Sequence, residues 1–194
     1  MSQLQWSDGE YHGIHGSYIR DDIRGLHAAT VSCVSGIAAS DGESIPKIAT
    51  YYFNSVGPWL HVISRKKLYQ DLTIISSVPR ADIALLILSM HLVCKEPFCE
   101  KESMEIRSAI YFKTKELFWL LQSADILTKE LIQAGLLITV YEYGHGICHQ
   151  AFLTVGACMR LALELSWLDM EELLMPLALE EERRTLWAIY LFDR

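Results

Sequence analysis

From Ala81 to Arg194 the apolar positions recur at helical spacing, and they predict five helical segments. Ala81 to Lys95 is almost without polar residues. Pro79 suits its first turn, where a missing N–H costs nothing, and Pro97 breaks it. Glu102 to Ser123 carries Ile106, Ile110, Leu117 and Leu121 on one face, with Lys113 and Lys115 pointing elsewhere. Thr128 is placed to cap Lys129 to Tyr143, which ends at Gly144. In Gln150 to Ser166, Ala151, Val155, Cys158, Ala162 and Leu165 form one stripe, and the small Gly156 and Ala157 would let another helix approach closely. Leu168 to Leu179 reads as a connection around Pro176. The last helix starts with three carboxylates, Glu180 to Glu182, then Arg183 and Arg184; acidic groups suit a helix N-terminus, and Glu180 is spaced to pair with both arginines. Leu186 to Phe192 has no polar side, which predicts a helix sheathed by protein all round, with Asp193 and Arg194 buried or half-buried and paired behind it.

The chain before Ala81 is patterned differently. Residues 1–48 hold six of the eleven glycines and no clear period, so they read as a loosely ordered lead-in or linker, with room for one short helix or strand between Gly25 and Ala39. Tyr51 to Leu72 is aromatic, turns at Gly57-Pro58 and starts a short helix after Ser64, a good cap. No convincing alternating strand pattern occurs. The expected class is all-α, a multi-helix body of antiparallel helix pairs over residues 49–194.

Composition sharpens this picture. Hydrophobic residues make up 51% of the 194 and charged residues 21%, which fits a globular body. The mean hydropathy of +0.18 suggests buried helices whose covering elements lie beyond Arg194. The net charge of −7 disfavours direct contact with DNA or RNA. Arg65, Lys66 and Lys67 form the one basic cluster and read as a solvated turn rather than a localisation signal. Five scattered cysteines fit reduced, mostly buried thiols better than a disulfide framework. The first twenty residues do not resemble a signal peptide, and the longest apolar run, Ile83 to Val93, is too short to span a membrane.

Candidate chemistry is sparse. His145, Cys148 and His149 lie close together, but a structural zinc needs four ligands and no second pair is near. The segment reads as a helix–helix corner, with Gly144 and Gly146 supplying backbone angles that other residues resist. Cys94 and Cys99 have neither zinc-knuckle nor redox spacing. Asp21-Asp22 lacks the third carboxylate of a magnesium site, and the Glu-x-x-Arg spacing from Glu180 and Glu181 is too short a pattern to indicate haem. No phosphate loop, nucleophile elbow or kinase signature occurs. The expectation is therefore no catalytic residue, metal or cofactor in this chain. Tyr141, Glu142 and Tyr143 read as core rather than as the lining of an effector pocket.

Four stretches together resemble the middle homology region of fungal zinc-cluster transcription factors. The first is Tyr52 to Leu72, with Pro58-Trp59 and Ile63-Ser64, although Gly57 stands where the family often has His and His61 where it often has Pro. The second is the hydrophobic helix Asp82 to Met90. The third is Gln133-Ala134 through Tyr141, Glu142, Gly144 and Gly146, followed by Ala151, Val155-Gly156 and Arg160-Leu161-Ala162. The fourth is Glu181-Glu182-Arg183-Arg184, then Trp187, Tyr190 and Asp193-Arg194. The resemblance covers residues 50–194.

The resemblance implies the front part of a helical regulatory domain that controls transcription by RNA polymerase II in the nucleus. It implies a six-cysteine, two-zinc DNA-binding cluster that is not in this sequence, so DNA contact and zinc belong to that missing module. Expected partners are transcriptional co-regulators, a small-molecule effector or a second copy of the chain, and no membrane. Two other classes stay open: a helical protein–protein interaction module with no DNA role, and an enzyme of unrecognised helical fold.

Overall fold

The computed structural model describes residues 11–75, 77–95, 101–168 and 176–194. These form eight α-helices and no strand, in agreement with the all-α reading. They are α1 (Tyr11–Ser40), α2 (Ile45–Ser55), α3 (Arg65–Ile74), α4 (Ala81–Val93), α5 (Lys101–Ser123), α6 (Lys129–Gly144), α7 (Cys148–Leu168) and α8 (Pro176–Phe192). None of them is long and apolar enough to cross a membrane.

Helices α4 and α6 are apolar on nearly every side and lie at the centre, because a helix with no polar face must be covered all round. Every residue from Ala81 to Leu92 and from Glu130 to Thr139 is buried. Helices α4, α5, α7 and α8 pack against α6. Helices α5 and α6 form an antiparallel pair: Tyr111 meets Tyr141 and Glu142 at one end, and Phe118 meets Gly135 further along. Helix α7 returns along α6, with Thr154 at Glu142 and Cys158 at Ile132. Helix α8 runs parallel to α6 instead: Glu181 bonds Lys129 and Gln133, and Tyr143 Oη donates to the Phe192 carbonyl at 2.9 Å.

The caps follow the sequence reading closely. Ser64 accepts from Lys67 N–H and Thr128 from Leu131 N–H, satisfying donors that have no partner inside the helix. Helix α6 ends with Ile147 N–H bonded to the Glu142 carbonyl at 2.8 Å, while Gly146 takes the left-handed conformation at φ +72. Gly144 is still helical, so the backbone freedom expected there is used at Gly146 alone. Pro79 sits one residue outside α4, since Arg80 is the N-cap. The break expected at Pro97 lies outside the described residues.

Within the expected loose lead-in, residues 1–48, Tyr11–Ser40 form α1, which contributes to the core. Thr30, Val34 and Ala38 are buried one turn apart, with Leu26, Val31 and Ile37 half-buried beside them. The stripe is built from small residues, and Gly25 and Gly36 lie on the exposed face with open space where a Cβ would be. Their number raised the glycine count without marking a turn. Helix α1 runs parallel to α4. His27 Nδ1 accepts from Ala81 N–H at 2.9 Å at one end, and at the other Asp41 binds His91 at 2.7 Å and Lys95.

Two further expectations change. The close helix approach is at Gly135 rather than Gly156. A Cβ on Gly135 would lie 2.8 Å from the Phe118 ring and still closer to Cys158 Sγ, whereas at Gly156 it would meet only Arg160, from 3.7 Å outward. Helix α8 is covered on one side only. Thr185, Ala188 and Ile189 are buried, while Trp187 is 60% and Leu191 69% exposed, because among the described residues α6 and α7 alone line it extensively. Asp193 and Arg194 are exposed, and Arg194 bonds and covers the ring of Tyr190 rather than pairing with a carboxylate.

The two glycines give opposite expectations. Gly135→Ala overpacks the α5–α6–α7 junction and should cost about 1–3 kcal/mol, read as a lower urea midpoint. Gly156→Ala should be neutral or stabilising by up to about 1 kcal/mol, since alanine favours helix and meets only an ordinary contact with the Arg160 side chain.

Candidate functional site

Several polar assemblies interrupt the apolar body, among them Arg80 with Asp82 and Glu130, and Asp41 with His91 and Lys95; two others bear on the candidate site, one in the interior and one at the edge of a cleft. The interior assembly centres on Glu142, which is fully buried in the last turn of α6. Tyr111 Oη donates to its Oε1 at 2.7 Å, Lys115 Nζ lies 2.8 Å from the same oxygen, and Thr154 Oγ1 donates to its Oε2 at 2.7 Å. Lys115 also donates to Thr154 at 2.6 Å. Burial and the bond to Glu142 push the Tyr111 phenol well above its ordinary range. Tyr141 stacks between Tyr111 and His145, with ring centroids 5.4 Å and 3.9 Å away.

Lys115 therefore points into the core, contrary to the expectation that it faces away. It stands one turn after Tyr111 and one turn before Phe118, inside the face that α5 buries. That register was the available signal. Lys113 does face outward and pairs with Glu116 at 3.0 Å. Tyr141 and Glu142 are core, as read, while Tyr143 is exposed and holds the end of α8.

The edge assembly centres on Glu181 in α8. Its Oε1 accepts from Ser64 N–H at 3.0 Å and Gln133 Nε2 at 3.1 Å, and its Oε2 from Lys129 Nζ at 2.8 Å. Gln133 also donates to the Val62 carbonyl at 2.6 Å. One carboxylate thus joins the loop before α3, the first turns of α6 and the start of α8. Burial alone would raise the Glu181 carboxyl, but the bonds from Lys129, Ser64 and Gln133 outweigh it and hold it below the ordinary carboxylate range. Burial likewise opposes the charge on Lys129, but the bond to Glu181 raises the amine above its usual value.

Beside this clasp lies a cleft of about 960 Å³. Phe53, Pro58 and Ile63 give it an apolar wall; Arg65, Lys66, Lys67, Lys129 and Arg184 line it with positive charge against Glu180 and Glu181. A Cβ at Gly57 would come 3.0 Å from Phe53 Cα, so the larger residue common at this place in the resembling family would not fit unmoved.

The remaining sequence-marked residues are scattered. Gln133, Ala134 and Ala151 are buried. Pro58, Trp59, Arg160, Arg183, Arg184 and Trp187 are exposed, and Glu182 is half-buried. Arg183 and Arg184 both bind Glu180 within α8, as their spacing predicted, so among these charges it is Glu181 that reaches neighbouring elements. Of the described cysteines, Cys158 is buried and its thiol pushed up to about 12 by burial; Cys33 and Cys94 are half-buried and Cys148 is exposed, fewer buried than expected. Cys99 lies outside the described residues.

Transcription factor BOA15 of Botryotinia fuckeliana (strain B05.10) is 36% identical to this chain over 145 aligned residues, spanning 67% of the chain and 79% of that protein. The chain belongs to the family of this fungal transcription factor. No protein-family model and no solved structure matches it.

In this family member the two assemblies differ in how they fail. Glu142→Leu leaves Lys115 buried without its counter-charge and should cost about 3–5 kcal/mol by urea denaturation. Glu181 has a lowered pKa when folded, so its contribution is complete above the unfolded value of about 4.3 and is lost as pH falls through the lower folded value. Glu181→Gln should lower stability at pH 7 by about 2 kcal/mol and flatten the loss between pH 5 and 3 (roughly this range follows from the ordinary carboxylate pKa), measured as urea midpoints across pH.

Proposed function

We propose that this chain is the regulatory region of a fungal transcription factor, the counterpart of the middle homology region of the zinc-cluster family. In this reading it acts in the nucleus on transcription by RNA polymerase II. The identity with Transcription factor BOA15 across 79% of that protein carries the reading. A zinc cluster outside this chain contacts DNA, and zinc is required there rather than here. The net charge of −7 supports this division, since such a surface repels phosphate.

The body is not an enzyme in this reading. Its partners are transcriptional co-regulators, a small-molecule effector or a second copy of the chain. The exposed Trp187, Tyr190 and Leu191 of α8 favour a second reading, a protein–protein interaction module without a DNA role.

Fusing the chain to an unrelated DNA-binding domain tests the proposal. The fusion should change the output of a reporter carrying that domain's site, and Glu142→Leu should abolish the change. The unfused chain should not shift duplex DNA at physiological salt. An inert fusion with folded protein would leave the interaction-module reading in its place.

A further inference from the structure

The cleft beside α8 has the composition of a ligand site. Its volume of about 960 Å³ falls within the range of small-molecule pockets. Five cationic side chains line it with two carboxylates, and one of the five, Lys67, is also paired with Glu130 at 3.6 Å; the balance is still positive on a chain that is negative overall, and a concave site focuses that potential. The two carboxylates are already engaged, Glu181 by Lys129 and Glu180 by Arg183 and Arg184. Lys67 is engaged as well, by Glu130, whereas Arg65 and Lys66 have no carboxylate partner among the described residues. The Arg65 guanidinium lies over the Phe53 ring at 5.6 Å, which holds it at the apolar wall. Helix α3 begins at this point; Ser64 caps the Lys67 N–H, which leaves the Arg65 and Lys66 N–H groups of the first turn without a partner within the helix.

We propose that this cleft binds a small organic anion. Its carboxylate or phosphate meets Arg65, Lys66 and the opening turn of α3, and its apolar body lies against Phe53, Pro58 and Ile63. The concave shape and apolar wall favour a small molecule over an acidic peptide, which would need an extended basic surface. The ligand also meets Arg184 and the Glu181 clasp, so its binding bears on the seating of α8. Its role as an effector rests on the regulatory reading above, but binding itself does not.

Calorimetry on the purified chain tests binding directly. Phenyl phosphate and benzoate represent the two anionic groups, benzyl alcohol is the neutral counterpart, and hexaglutamate is the acidic peptide. Saturable binding of either aromatic anion is expected, weakened at least about tenfold by Lys66→Glu, as losing one charge-assisted contact implies. Arg160→Glu, at an exposed position on α7 that does not line the cleft, should leave it unchanged, and thermal melts confirm that both variants fold. Binding of one anion but not the other supports the site and narrows its ligand class. The proposal is overturned if neither anion binds up to about 10 mM, where affinity would be negligible. It is also overturned if Lys66→Glu has no effect, if Arg160→Glu weakens binding as much, or if benzyl alcohol or hexaglutamate binds more tightly than both anions. Anion binding without any reporter response in the fusion would retain the site and remove the regulatory reading.

Discussion

The complete burial of α6 is the constraint around which the other helices are placed. A helix that is buried at every position from Glu130 to Thr139 needs neighbours on all sides, and α4, α5, α7 and α8 supply them. Its polar side chains must then find partners inside the protein, because an unpaired polar group in such surroundings is costly. Gln133 reaches the Val62 carbonyl and Glu181; Glu142 gathers Tyr111, Lys115 and Thr154. Apolar contact is non-directional, so these attachments fix which face of each neighbour is turned inward.

The two attachments have different surroundings. Glu142 is dry and linked to α5 and α7, so it makes a rigid three-helix unit with α6. Glu181 stands at the edge of the cleft and links α8 to the loop before α3. The seating of α8 therefore depends on a charge that borders an open space, and α8 also exposes Trp187, Tyr190 and Leu191.

Much of the helical plan was legible because its causes are local. The unbroken apolar run of α4, the caps at Ser64 and Thr128 and the pairing of Glu180 with Arg183 and Arg184 all depend on residues within a turn of one another. Helix α1 was hidden because its buried stripe is made of Thr30, Val34 and Ala38, weakly hydrophobic residues diluted by surface glycines. The residues on which the resemblance rests play mixed roles. Gln133 and Glu142 hold the interior together, while Pro58, Trp59 and Arg160 lie on the surface. Asp193 was misjudged because the apolar run before it was read as covered on all sides.

The amino-acid sequence alone determined the helical class, most helix limits and the charge that disfavours nucleic acid, since periodicity, capping and net charge need no knowledge of distant neighbours. The tertiary structure decided that Lys115 lies inside, that Gly135 rather than Gly156 is the close contact, and that Arg65 and Lys66 share a cleft with Lys129 and Arg184. Each of those facts joins residues from different helices. Such juxtapositions arise from how apolar faces pack, and the local pattern of any one segment carries no record of them.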